Sequence, residues 1–513
     1  MVHFRYFILF LLFQFFSLYS NGQWSRPVRA EVDVAPRSES MNIVPVSDKG
    51  VLIFYNTKEY KTKRMSEWDF SGFDALLQKS WTQKILIPDD FEFVDYELIG
   101  DSVFFLTQAP KLKNEENILI LGVNTFDGGI SKRTFTLKEK AEVEAFKFEL
   151  NSMFWIASNS DGLWLYKYDI QTGILDEIEI YKGEDVDFHS IDFDPESIEV
   201  ALIFSVKINR KSDQFYLVEY DLSTKEILKI PLNTDPDKKL LTSEINFVGK
   251  NKVLIVGSYN FIDEKSVYVD KGDGKESAGF YSFAVDKEKV KVHKTYNYLE
   301  LKNLVRLMGR NNADKRRDND RKVMNPKETS LNYLLIPHAL TKLDSTYVFI
   351  AEAYYPEYRT VSEMSYDVYG RMVPYTRTIF EGFRYTDAIF AAFDKNGNIV
   401  KDYVFDVWNI LSTSLVNRVH LLPDSIAPVV AYHEDGKLVY KTLQSSSQSQ
   451  ESAEEVKIET TYPNDKVIST YGANMKYWFG NNYLVFGYQT IRNNSIPNRS
   501  KREVFFMNRI IYR

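Results

Sequence analysis

Leu163-Trp164-Leu165-Tyr166-Lys167-Tyr168-Asp169 is followed by Gln171-Thr172-Gly173 and then by Ile174-Leu175-Asp176-Glu177-Ile178-Glu179-Ile180. Two runs rich in β-branched and aromatic residues flank a polar turn. Asp at the turn entry accepts backbone hydrogen bonds, and Gly supplies the positive φ. The stretch predicts a β-hairpin. It recurs as Phe215-Tyr216-Leu217-Val218-Glu219-Tyr220-Asp221, turning at Ser223-Thr224-Lys225 into Ile227-Leu228-Lys229-Ile230. A third copy is Ala388-Ile389-Phe390-Ala391-Ala392-Phe393-Asp394, turning at Asn396-Gly397-Asn398 into Ile399 to Phe405.

Upstream of each hairpin lies a continuously apolar strand. Met153 to Ala157 precedes the first and Ile198 to Phe204 the second, and Tyr347 to Ala351 stands ahead of the third. Further copies begin at Val51, Val103, Val253, Ala427 and Tyr483. Such runs read as strands buried on both faces. The early starts, at 51, 103, 153, 198 and 253, are 52, 50, 45 and 55 residues apart. A period near 50 with three or four strands per unit fits the blades of a β-propeller. The expectation is an all-β chain forming a single propeller of eight blades, with seven as the alternative. The last unit, Val504 to Tyr512, ends on a third strand, and Val28 to Val34 supplies the missing outer one, so an N-terminal strand completes the last blade.

Composition narrows the chemistry. Lys and Arg number 64 against 71 Asp and Glu, a formal charge of −7, which argues against an electrostatic nucleic-acid binder. Hydrophobic residues reach 44%, enough for a large core. Cysteine is absent, which removes disulfides, thiolate zinc sites, iron–sulfur clusters and thiol catalysis. No cofactor is expected.

Residues 1–22 read as a secretory signal peptide. Arg5 precedes the apolar Phe7 to Phe13, and Ser20 and Gly22 stand at −3 and −1 of a cut before Gln23. An uncleaved anchor is the alternative, although the apolar run is short of the ~20 residues that span a bilayer. The remainder, 23–513, is expected to be soluble on the far side of a membrane, with no membrane span.

Two intervals exceed the period. The first insertion, at about 297–330, opens with the amphipathic Tyr298 to Met308, expected as a short helix. Arg310 to Lys322 follows with a local charge of 6 − 3 = +3 and reads as a solvated loop or as a contact for an acidic partner or lipid headgroup. The second insertion, 354–384, holds Tyr354, Tyr355, Tyr358, Arg359, Tyr366, Tyr369, Arg371, Tyr375 and Arg377. The turn from Asp367 to Arg371 predicts a protruding hairpin. Tyr and Arg favour interface hot spots, so these nine residues are the candidate partner-binding set, against the plainer reading that the hairpin covers its own blade. Residues 444–455, rich in Ser, Gln and Glu, are expected to be a disordered loop.

Catalytic signals are sparse. His3, His189, His293, His338, His420 and His433 are scattered without metal-ligand spacing. Asp394-Lys395-Asn396-Gly397-Asn398 resembles the opening of a calcium loop, yet Phe405 stands where a bidentate Glu belongs, so a hairpin turn is expected. Asp270-Lys271-Gly272-Asp273-Gly274 reads likewise as a Gly-rich loop. No catalytic, cofactor or metal residue is assigned.

The hairpins, with Val348 to Asp394 and the ending Trp478-Phe479-Gly480-Asn481-Asn482-Tyr483-Leu484-Val485-Phe486-Gly487-Tyr488-Gln489, resemble uncharacterised secreted β-propeller-like proteins of Bacteroidota. The resemblance implies an exported protein. Many secreted proteins of that group carry a C-terminal sorting domain, whereas this sequence ends at Arg513 inside the last unit, so periplasmic residence is expected. Bacteroidota run outer-membrane secretion machines, the type 9 translocon among them, with soluble periplasmic subunits, and a plug or scaffold role in such an assembly fits. Two alternatives stay open: a propeller hydrolase acting on glycans or peptides through carboxylates at the tunnel mouth, and passive glycan or ligand binding through exposed aromatics.

Overall fold

Each of the apolar runs forms the second strand of an antiparallel sheet, four-stranded in seven cases and six-stranded in one, and the reason is visible in side-chain parity. Val51 and Ile53 point to one face of their sheet while Leu52 and Phe54 point to the other, and both faces are covered. A strand sandwiched between two neighbours has no solvent side, so alternation gives way to an unbroken apolar run. The computed structural model describes residues 28–512 except 35–37, 63, 110–115, 138–140, 195, 210–211, 263–275, 287–288, 306–331, 367, 409, 423–427, 435, 444–452, 459 and 496–500.

Among the described residues there are eight sheets; along their main path seven run in chain order from first strand to last, and sheet 8 takes its fourth strand from the N-terminal side. Sheet 1 comprises Asn42–Val46, Gly50–Thr62, Met65–Phe73 and Lys79–Pro88. The first strands of sheets 2 to 5 are Glu92–Ile99, Glu142–Glu149, Val186–Asp194 and Lys238–Gly249. Sheet 6 begins at Leu334–Pro337 and contains two short additional strands, sheet 7 begins at His420–Leu422, and sheet 8 begins at Lys466–Phe479. Thus the unit starts one strand earlier than the apolar repeat. The leading strands of sheets 2, 3, 4, 5 and 8 mix charged or polar with apolar residues, and these five carry a register shift, such as those between Phe93 and Asp95 and between Val143 and Ala145. A bulge breaks the period of two, which hides the strand from pattern reading.

Eight hydrophobic clusters join the sheets pairwise. Phe54 and Phe105 meet between sheets 1 and 2 with ring centroids 4.6 Å apart, and comparable clusters follow at each junction along the chain. The last cluster joins Trp478, Leu484, Phe505 and Met507 of sheet 8 to Ile43, Val51, Ile53 and Phe73 of sheet 1. Trp478 Nε1 donates to the Gly50 carbonyl across this junction at 2.8 Å.

The fourth strand of sheet 8 is the N-terminal one. Val28–Asp33 pairs antiparallel with Lys501–Ile511, from Val28 opposite Arg509 to Asp33 opposite Val504. Glu31 bridges Arg29 (2.9 Å) and Arg502 (3.1 Å), and Arg502 reaches Asp465 at 2.7 Å.

The hairpin turns are built by their aspartates. Asp169 Oδ1 accepts from the Gln171 and Thr172 amides (2.9 and 2.8 Å), and Asp221 Oδ1 from those of Ser223 and Thr224 (2.7 and 3.0 Å). Both carboxyls lie below the usual carboxylate range, Asp169 chiefly through the Thr172 amide and Asp221 chiefly through the Ser223 hydroxyl and then the Thr224 amide. Asp394 Oδ1 does the same for the Asn396 and Asn398 amides at 2.8 and 2.9 Å, so the calcium-like sequence is occupied as a turn.

Within the first insertion, Tyr298–Glu300 is a 3-10 turn capped by Asn297, and a single helical turn covers 302–305. Tyr298, Leu301 and Leu304 are buried between sheets 5 and 6. The basic run Arg310 to Lys322, the Asp270 to Gly274 loop and the signal segment 1–22 lie outside the described residues. So does most of the 444–455 tract, but its last two residues belong to the strand Glu454–Lys457, which pairs with Lys437–Thr442. The expected disordered loop therefore ends two residues too late: Glu454 and Glu455 sit opposite Tyr440 and Val439, and the acidic composition masked an edge strand. No helix among the described residues is long and apolar enough to cross a membrane.

Candidate functional site

Two features stand apart from the repeated sheets. One is a set of polar side chains on the leading strands; the other is the second insertion.

Lys476, on the leading strand of sheet 8, donates from Nζ to the Tyr96 hydroxyl of sheet 2 at 3.0 Å and to the Ile43 carbonyl of sheet 1 at 3.2 Å. Its charge also acts on Asp95 of sheet 2 and His420 of sheet 7. Leading strands of sheets 7, 8, 1 and 2 therefore converge on one region. Lys147 of sheet 3 pairs with Glu97 of sheet 2 at 2.9 Å. Burial raises the carboxyls of Asp95, Glu97 and Asp192, the last although the Phe247 amide donates to it at 2.8 Å. Burial alone pushes Glu244 of sheet 5 up to about 8. Such a carboxyl stays protonated at neutral pH and can donate a hydrogen bond or a proton. Among the described residues no three His, Asp or Glu side chains come together to hold a metal ion.

The histidines are structural in their surroundings. His189 stacks on Phe215 at 4.6 Å and His293 on Phe283 at 4.4 Å. Burial lowers His420 and His433 to about 4. His338 Nε2 lies 2.6 Å from Glu352 Oε1, and the same carboxylate accepts from the Arg418 and Val419 amides at 2.8 and 2.9 Å. Arg418 continues to the Ala473 carbonyl and the Ser412 hydroxyl at 2.7 and 2.6 Å. This node is invisible to pattern reading, because its members are spread from 338 to 473 and share no motif.

The node secures the base of the second insertion. The strands Thr346–Tyr366 and Met372–Phe393 pair continuously from Tyr347 opposite Phe393 to Tyr366 opposite Met372. Their inner halves belong to sheet 6. Beyond Phe383 and Arg384, which meet the short strand Leu411–Ser412, no further strand among the described residues pairs with either, and a two-stranded ribbon projects.

Of the nine candidate partner residues, Tyr354 is misassigned. It is buried opposite Leu334 and meets Phe383 edge-on at 5.6 Å, inside the sheet rather than on the ribbon. Tyr355, Tyr358, Tyr366, Tyr369 and Tyr375 are all exposed, with Tyr369 80% accessible. Arg359 and Arg377 are held by Glu381 and Glu363, each at 2.9 Å, and Arg371 lies over the Tyr369 ring. The sequence missed Met364, Met372 and Phe380, which are equally exposed. Cross-strand parity counted from the Gly370 turn would have placed them beside the tyrosines.

No protein-family model and no curated protein matches the chain. Among solved structures, cobalt-substituted Synechocystis apocarotenoid oxygenase aligns at 10% identity and a TM-score of 0.31, over 50% of this chain and 62% of that one. The chain thus spans less than two thirds of that protein's length. Dihydro-heme d1 dehydrogenase NirN aligns at 10% identity over 94% of this chain and 78% of its own, with a TM-score of 0.41. Polysaccharide lyase Uly1 aligns at 7% identity over 92% and 99%, with a TM-score of 0.39. Likenesses this distant say nothing of what this chain binds or acts on.

Proposed function

We propose that the chain is a single eight-bladed β-propeller, closed by Val28–Asp33 completing the last blade, and that it serves as a non-enzymatic interaction or scaffold subunit of an outer-membrane or secretion-associated assembly in the periplasm of a bacterium. The ring is supported by the eight sheets in chain order, by the cluster between sheets 8 and 1, and by the reach of Lys476 to Tyr96 past sheet 1. The periplasmic setting is supported by the signal-like residues 1–22 and by the resemblance to exported proteins of Bacteroidota. The observation that carries the role is the ribbon. It exposes Tyr358, Met364, Tyr366, Val368, Tyr369 and Met372 on a rigidly anchored base, which a free-standing protein has no folding reason to keep in water.

Affinity purification from native membranes tests the role, with the ribbon cut back by joining Glu357 to Gly382 through a two-residue turn. Envelope proteins recovered with the intact chain and lost with the shortened one support the proposal. Recovery unchanged by the deletion removes the ribbon from the interface, and a chain that fractionates with the cytoplasm overturns the setting.

A second reading is favoured by the carboxyls on the leading strands. Glu244, whose carboxyl burial pushes up to about 8, would suit the general acid of a hydrolase acting on glycans or peptides. Hydrolysis of polysaccharide or peptide libraries that disappears in Glu244→Gln would establish it.

A further inference from the structure

The ribbon has two unlike faces. Directly opposed residues share a face, and faces alternate along each strand. Tyr358, Thr360, Ser362, Met364 and Tyr366 lie opposite Phe380, Thr378, Thr376, Pro374 and Met372. That face carries no charge at all. The other presents Arg359, Val361, Glu363 and Ser365 opposite Ile379, Arg377, Tyr375 and Val373, and its charges are satisfied within the ribbon. Residues 354–384 contain four acids and four arginines, so the segment is neutral in a chain of −7.

We propose that the uncharged face is a self-association surface and that its occupant is the same face of a second copy of this chain. This rests on the reading of the ribbon as a docking element. Three observations single out a second copy. First, the face is self-complementary about its middle. In an antiparallel two-fold pairing, Ser362 and Thr376 fall on the axis, and Thr360 and Thr378 cover Met364 and Pro374. The aromatic pair Tyr358 and Phe380 then covers Tyr366 and Met372, a sulfur–aromatic contact of the kind proteins favour. Second, the face keeps large side chains in water along its whole length: over roughly 27 Å, eight steps of ~3.4 Å, Tyr358, Met364, Tyr366 and Met372 are each more than half accessible. Third, the charges fit. Two copies of a −7 chain repel in general, but here the approaching surfaces are neutral. A membrane of anionic lipid would select a basic ribbon, which this is not.

The chain has no cysteine, so a single introduced one reports on a single position. Sedimentation equilibrium of the purified protein is expected to give a dimer, and Ser362→Cys is expected to form disulfide-linked dimers under mild oxidation while Ser365→Cys, on the charged face, does not. Met364→Glu combined with Thr378→Glu is expected to give monomers with an unchanged melting temperature, whereas Glu363→Ala with Arg377→Ala stays dimeric. A monomer at every concentration, or equal crosslinking through both faces, overturns the inference. If that monomer still loses its envelope partners when the ribbon is shortened, only self-association fails and the docking role stands. A dimer whose partners are indifferent to the ribbon separates the two in the other direction.

Discussion

Glu352 has no exposed surface, yet three groups from two other segments donate to it: His338 Nε2 and the amides of Arg418 and Val419. A buried carboxylate so placed fixes the chain on either side of it. Glu352→Ala strands His338 and both amides without an acceptor and is expected to cost ~3–5 kcal/mol in urea unfolding. Other buried groups make stability depend on pH, in opposite senses. His420 and His433 take a proton only near 4 when folded, whereas the unfolded chain takes it near 6.5. Between those values the unfolded form binds more protons, so stability declines as pH falls from 6.5 towards 4, and His420→Gln should flatten that decline. Glu244 runs the other way. Folded, it keeps its proton up to about 8, while the unfolded carboxyl has lost it above 4.5, so this residue weakens the fold as pH rises through that window. Glu244→Gln is expected to add on the order of 1 kcal/mol at pH 8 and nothing at pH 4, measured by urea melts at both pH values.

Among the elements, the turn at Asp394 separates two readings of one short sequence. Its Oδ1 is already taken by two backbone amides, and Gly397, at φ 75°, has the Ser282 side chain 2.7 Å from where a Cβ would stand. Gly397→Ala should therefore cost about 1–2 kcal/mol, and millimolar calcium should leave the melting temperature unmoved; a rise of several degrees on adding calcium would restore the ligand reading. The turns and the apolar strands were legible because each is dictated locally, by an Asp and a Gly or by burial of both faces. The leading strands were not: Glu92–Ile99 mixes three acids with apolar residues and skips register at Val94, so no period marks it. The ribbon was legible as a hairpin but not as a two-faced one. Tyr354 looks like its neighbours Tyr355 and Tyr358 in sequence, and only the pairing with Leu334 takes it into the sheet.

Over the whole molecule, the first and last described strands are held in one sheet. Val28–Asp33 contributes Ala30 and Val32 to the cluster between sheets 8 and 1, with Val34 just beyond it, and Arg29 and Glu31 to the ionic network with Arg502 and Asp465. Removing 28–33 leaves Arg502 short of one carboxylate and bares the Lys501–Ile511 edge, so a loss of ~4 kcal/mol or more is expected in chemical denaturation, with aggregation through the bared edge. Single substitutions along the packed face of that strand should differ with depth, Val32→Asp being far worse than Val28→Asp, since Val32 packs on the cluster between sheets 8 and 1 while Val28 is exposed. The arrangement also bears on timing. Val28–Asp33 has no mate until a segment far downstream has been made, 481 residues later by the Val28–Arg509 pairing. Until then Val28–Asp33 stays an unpaired strand, and sheet 8 reaches four strands only when both stretches are present.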